Sequence, residues 1–100
     1  MNLTWAPRAL QDVDKLLDYI RGSSPIGARN VAIAINRAAA HCALHPYTGA
    51  RTKQRNLFRA PLAKRRITIF YRVDSGRDVV EIVRVVRSGR VKNLGRLPRS

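Results

Sequence analysis

Apolar positions along this chain fall into two helical stretches followed by strand-like alternation, with turn residues between them. Leu10, Val13, Leu17 and Ile20 recur at three- and four-residue steps and so share one face of a helix. Pro7 suits the first position of that helix, where its missing N–H costs nothing, and Gly22 supplies a stop. Ser24-Pro25 provides the next helix with an N-cap and a first residue. Its stripe is Ala28, Val31, Ala32, Ile35, Ala38, Ala39 and Cys42. His45-Pro46 ends it, because the residue before a proline is pushed out of the α region. Ile33, Ala40 and Leu44 form a second apolar line on another face of the same helix. That line either packs against the first helix, the expected use, or stays open for a partner.

Strands flank the helices. Leu3 and Trp5 face one way in a short segment, Asn2 to Trp5. Tyr47 to Gln54 is a polar connection containing Gly49, and Arg55 to Leu62 is a strand weakened by Pro61. Ile67, Ile69, Tyr71 and Val73 alternate with Thr68, Phe70 and Arg72. A loop over residues 74–78 then leads into Val79 to Val86, the most β-branched stretch of the chain. Only residues 22–24 separate the two helices, so they must form an antiparallel hairpin. The expected fold is α+β in two layers. The helical hairpin packs on a mainly antiparallel sheet, made of the N-terminal strand and a three-strand C-terminal meander. Residues 1–90 make one domain and 91–100 a basic tail.

Composition narrows the class. The 100 residues hold one core. No apolar run approaches the ~20 residues of a membrane span, and the N-terminus lacks a secretory pattern. A single cysteine, Cys42, on an apolar helix face fits a reducing cytoplasm and a core position. Charge says most. Twenty Lys+Arg against six Asp+Glu give +14, and the imbalance lies in the second half. There Arg51, Lys53, Arg55, Arg59, Lys64, Arg65 and Arg66 form one acid-free segment; Arg84, Arg87, Arg90, Lys92, Arg96 and Arg99 lie in another. Such density points to a polyanionic partner, whether nucleic acid, a ribonucleoprotein or an acidic protein.

Conventional active-site chemistry has little to stand on. His41 and His45 are four apart on a helix, but no carboxylate or second cysteine completes a metal shell, and Cys42 points about 100° away from His41. Neither a metal nor a cofactor is expected. Asp12, Asp14 and Asp18 read as a solvent-leaning helix flank. Clustered cations can stabilise a phosphorane, yet the basic half contains no histidine, and Tyr71 sits on the core face of its strand. Binding is therefore better supported than catalysis. The six aromatic residues are too scattered along the chain for a stacking platform on single strands.

The order strand, helix, helix, three strands resembles the RelE/ParE toxin superfamily of type II toxin–antitoxin systems. Several stretches are similar to its ParE branch: Trp5-Ala6-Pro7-Arg8-Ala9 with Leu10 and Asp12, Tyr19-Ile20, and His45-Pro46-Tyr47-Thr48-Gly49. Arg66 to Val73 followed by Val80 to Val86 carries the resemblance furthest. The resemblance implies a toxin that inhibits DNA gyrase and replication. It also implies an acidic antitoxin of ParD or RelB type wrapped over the hairpin and sheet, with Ile33, Leu44 and Phe70 as candidate contacts. Arg66, Arg84, Arg87, Arg90 and Lys92 are the candidate target-binding residues. The alternative is a RelE-like, ribosome-dependent mRNA endoribonuclease, for which Arg55, Arg59, Arg66, Arg87 and Arg90 would bind and stabilise phosphate. Against that alternative, no tyrosine follows the last strand and Thr68 stands where a strand arginine belongs. Arg87 also replaces the histidine usual in the ParE branch, leaving Arg87-Ser88-Gly89-Arg90 as the counterpart of its basic stretch.

Overall fold

Each helix opens on its proline: α1 spans Pro7–Arg21 and α2 spans Pro25–Leu44 in the computed structural model, which describes residues 1–87. Ser24 Oγ accepts a hydrogen bond from Gly27 N at 2.8 Å, satisfying an amide that a helix start leaves without an internal partner. Gly22 ends α1 with φ −59°, so the stop does not use the left-handed conformation that a terminal glycine often supplies.

The strands are β1 (Asn2–Trp5), β2 (Ala50–Arg51), β3 (Leu57–Leu62), β4 (Ile67–Asp74) and β5 (Val79–Arg87). They form one sheet in the order β1-β5-β4-β3-β2. Strand β1 runs parallel to β5 at one edge, and the other pairings are antiparallel. The expected two-layer α+β architecture is what the chain adopts. Two details differ from the sequence expectation. The polar connection after α2 contains a strand, β2, paired with β3 through Ala50↔Arg59 and Arg51↔Phe58. Strand β3 starts at Leu57 rather than Arg55, because Asn56 takes a positive φ of 61° in the turn before it. Asparagine tolerates that region better than most residues.

The core lies between the helices and one sheet face. Ala28, Val31, Ile35, Ala39 and Cys42 of α2 are buried there, as are Phe58, Ile69, Tyr71, Val80 and Ile82. Alanines at 28 and 39 keep α2 close to its neighbours. The inward stripe of α1 is rotated from the expected one. It runs through Ala9, Val13, Leu16, Leu17 and Ile20, while Leu10 is half exposed. That rotation brings Asp12 to the sheet side, so the reading of Asp12 as a solvent-leaning charge is corrected: its side chain is 13% exposed. Tyr71 anchors the connection after α2. Its hydroxyl donates to Pro46 O at 2.9 Å and accepts from Gly49 N at 3.1 Å. A side chain at residue 49 would overlap that hydroxyl and crowd Arg59 O at 2.9 Å, which explains the glycine.

Strand β5 carries one residue more than β4 between Ile82 and Arg84. Tyr71 pairs with Ile82 and Phe70 with Arg84, leaving Val83 as a bulge. The bulge restores inward alternation, so that Ile82 and Val85 both reach the core.

Candidate functional site

A sharp turn connects β3 to β4. Ala63–Arg65 form one 3-10 turn, and Arg66 follows with φ 55°. Of the three described non-glycine residues with positive φ, Asn56 and Asp78 are types that tolerate the left-handed region, whereas Arg66 is not. Holding an arginine there costs on the order of 1 kcal/mol relative to glycine. A strained exposed cation directs attention to what surrounds it.

Arg66 precedes Ile67, which pairs with Arg87 across the ladder. The turn, the start of β4 and the end of β5 therefore gather Lys64, Arg65, Arg66 and Arg87, all exposed, at one end of the sheet. The acidic Asp74 and Asp78 lie at the opposite end, in the β4–β5 hairpin. Seven steps of strand, roughly 23 Å at about 3.3 Å each, separate the two ends. Arg87 occupies a helix-facing position, two residues beyond buried Val85. Its guanidinium reaches over the ring of Tyr19 on α1, 4.9 Å from the centroid. The sequence reading had no role for Tyr19; only the packing of α1 beside the end of β5 brings the two together.

Other candidate residues lie elsewhere. Arg84 is engaged within the fold: its Nε donates to Asp12 Oδ2 at 2.7 Å and its Nη2 to Asp12 Oδ1 at 3.2 Å, with 23% of the side chain exposed. That pairing ties α1 to β5. Arg55 precedes β3 at the hairpin end, and Leu57 to Leu62 covers five strand steps, roughly 17 Å, before the turn that bears Arg66. Arg59 is exposed in the middle of β3, opposite Phe70. The described members of the proposed catalytic set, Arg55, Arg59, Arg66 and Arg87, are thus spread along the sheet; only Arg66 and Arg87 are neighbours. Arg90, Lys92 and the tail lie outside the described residues. The buried Tyr71 phenol is committed to two hydrogen bonds. Burial raises its pKa, with the nearby Cys42 adding to the rise and the Gly49 N–H opposing it, so it is poorly placed as an acid or base.

Among the described residues no group of three or more His, Cys, Asp or Glu side chains could hold a metal ion. His41 and His45 lie with their rings 4.9 Å apart.

A second surface is apolar. Ile33 and Leu44 are exposed at 41% and 73%, so the expected packing of this line against α1 is not what the fold uses. Ile26, 74% exposed, extends the line at a seven-residue step, forming a ridge with Ile33, Ala40 and Leu44 on the outside of α2. An apolar groove lined by Leu10, Val13, Leu17 and Ile35 lies between the helices. Phe70, expected among these contacts, is instead 4% exposed, on the sheet face away from the helices.

This fold has solved relatives. The chain is similar to the chromosomal ParDE toxin–antitoxin system of P. aeruginosa, with TM-score 0.73 and 20% identity over 87% of this chain and 95% of that one. The intact E. coli RelBE toxin–antitoxin complex matches with TM-score 0.69 and 18% identity over 89% and 98%. The isolated E. coli RelE toxin matches with TM-score 0.68 and 16% identity over 97% and 98%. At these identities the likeness is one of fold. No curated protein matches the chain in sequence. A family model described as the ParE toxin of the type II toxin–antitoxin system parDE matches residues 3–91, so the chain belongs to the ParE toxin family.

Proposed function

We propose that this toxin acts as its ParE relatives are understood to act, arresting replication in the cytoplasm by binding DNA gyrase. An acidic antitoxin of the ParD type holds it in check. The observation that carries the reading is the sheet end bearing Arg66 and Arg87. It offers concentrated positive charge and a strained arginine, with the Tyr19 ring lying against Arg87. A surface of this kind suits an acidic or polyanionic target.

The outer ridge of α2 suits the antitoxin. Ile26, Ile33 and Leu44 recur at helical spacing, which an amphipathic segment of a partner can cover, and a net charge of +14 favours an acidic one. Solved relatives of both the ParDE and RelBE kinds are toxin–antitoxin complexes, which supports such a partner here. The two surfaces lie on different elements, so neutralisation need not cover the target-binding cations directly.

The test is purified toxin with gyrase and supercoiled or relaxed plasmid. Loss of supercoiling with accumulation of cleaved plasmid is expected, and Arg66→Ala and Arg87→Ala should each lose it. Unimpaired gyrase together with cleavage of ribosome-bound mRNA would instead select the RelE-like reading.

A further inference from the structure

Tyr19 is 69% exposed near the end of α1, although it lies against an arginine. Arg87 rests on one side of the ring, and that degree of exposure leaves much of the remaining surface accessible. Arg66 stands one residue from Arg87's cross-strand partner, and Lys64 and Arg65 precede it in the turn. The nearest acid along α1, Asp18, is bound by Arg21 at 2.5 Å, so its charge is offset. One corner of the molecule thus combines an exposed aromatic ring, a guanidinium over it and further exposed cations.

We infer that this corner binds single-stranded nucleic acid, with one base stacked on Tyr19 and Arg87 and the flanking phosphates held by Arg66 and Lys64. An acidic peptide would use the cations and gain little from the ring. A duplex would also use the cations, but its bases are already stacked on one another. Only an unpaired base uses both features, and any base serves because each has a π-face. The cation on the ring strengthens the stack. The inference does not depend on gyrase being the target, since it concerns the free toxin.

The experiment is fluorescence anisotropy of the full chain with labelled oligothymidylate, oligouridylate and duplex DNA, each about twelve nucleotides long, a length within the usual single-strand site range. Single strands should bind more tightly than duplex. Tyr19→Ala should weaken single-strand binding about tenfold, the lower part of the range for one stacked base, while Tyr19→Phe stays near wild type. Duplex binding should not respond to Tyr19→Ala, and Arg87→Ala should weaken both. Equal binding of the two single strands supports recognition of base and phosphate alone; a preference for either supports the site and names its source. Unchanged single-strand affinity in Tyr19→Ala overturns the inference. So does a parallel loss for strand and duplex, or displacement by polyglutamate that responds equally to Tyr19. A thermal melt of Tyr19→Ala matching wild type separates lost binding from lost folding.

Discussion

The carboxylate of Asp12 grips Arg84 through two nitrogens, at 2.7 and 3.2 Å, and joins α1 to β5. The same carboxylate accepts the Val85 N–H at 2.9 Å, beside the bulge and beyond the point where the β1 ladder ends at Ile82. An edge amide that would otherwise lack a partner is satisfied by a helix side chain. Asp12→Ala should therefore destabilise the chain by about 2–3 kcal/mol, the range for hydrogen bonds to a charged group, tempered by partial exposure. Arg84→Met should cost less, because Asp12 keeps the Val85 amide. Urea unfolding at constant slope checks this, and an Asp12→Ala midpoint equal to wild type would refute the linkage.

Arg66 offers a separation of stability from function. Arg66→Gly relieves a positive φ and should leave stability unchanged or raise it by up to about 1 kcal/mol, the gain being offset by the freer unfolded chain. The same variant should lose toxicity in cells. A variant that stays toxic would remove Arg66 from the target-binding surface.

Gly49 and Tyr71 should behave as a pair. Tyr71→Phe loses two hydrogen bonds and should cost roughly 1–3 kcal/mol. Gly49→Ala drives a methyl group into the hydroxyl and should cost at least as much. In the double variant the costs should sum to less than their separate values, since the clash with the hydroxyl is gone. Strict additivity would contradict the contact.

Much of this arrangement was legible beforehand, and the failures share a cause. Helix limits at Pro7 and Pro25 and the alternation in β4 are local, and local periodicity found them. Strand β2 was missed because Ala50 and Arg51 carry no apolar alternation; their pairing with β3 defines the strand. A stripe drawn through Leu10, which is half exposed, leaves Asp12 on the solvent side. A stripe through Ala9 and Leu16 places Asp12 three residues from one and four from the other, on the inward side. The meeting of Tyr19 with Arg87 has no local signal, since these residues lie on different elements far apart in sequence.

Outer apolar residues of α2 should matter for the partner and little for the fold. Leu44→Asp and Ile26→Asp should change stability by less than about 0.5 kcal/mol, as exposed substitutions do. Each should weaken capture by the antitoxin at least tenfold in calorimetric titration. Antitoxin binding that survives both changes would place the partner on another face.

Alkaline stability follows from Cys42. Burial pushes its thiol up to about 11 from 9.0, so above pH 9 the unfolded chain releases the proton first. The contribution is complete below pH 9 and is lost as pH rises toward about 11, amounting to roughly 3 kcal/mol. Tyr71 shifts in the same direction. Cys42→Ala should flatten the decline between pH 9 and 11, apart from the part due to Tyr71. An identical slope in the variant would show that the thiol is not responsible.

Arrest of DNA replication is the activity proposed for this toxin. Pulse-labelling in cells within minutes of induced expression, comparing thymidine with methionine incorporation, tests it most directly. Thymidine incorporation should fall first, with chromosome breaks following, and co-expressed antitoxin should prevent both. An earlier fall in methionine incorporation, with DNA synthesis continuing, would contradict the gyrase reading and make the arginines a question of RNA cleavage.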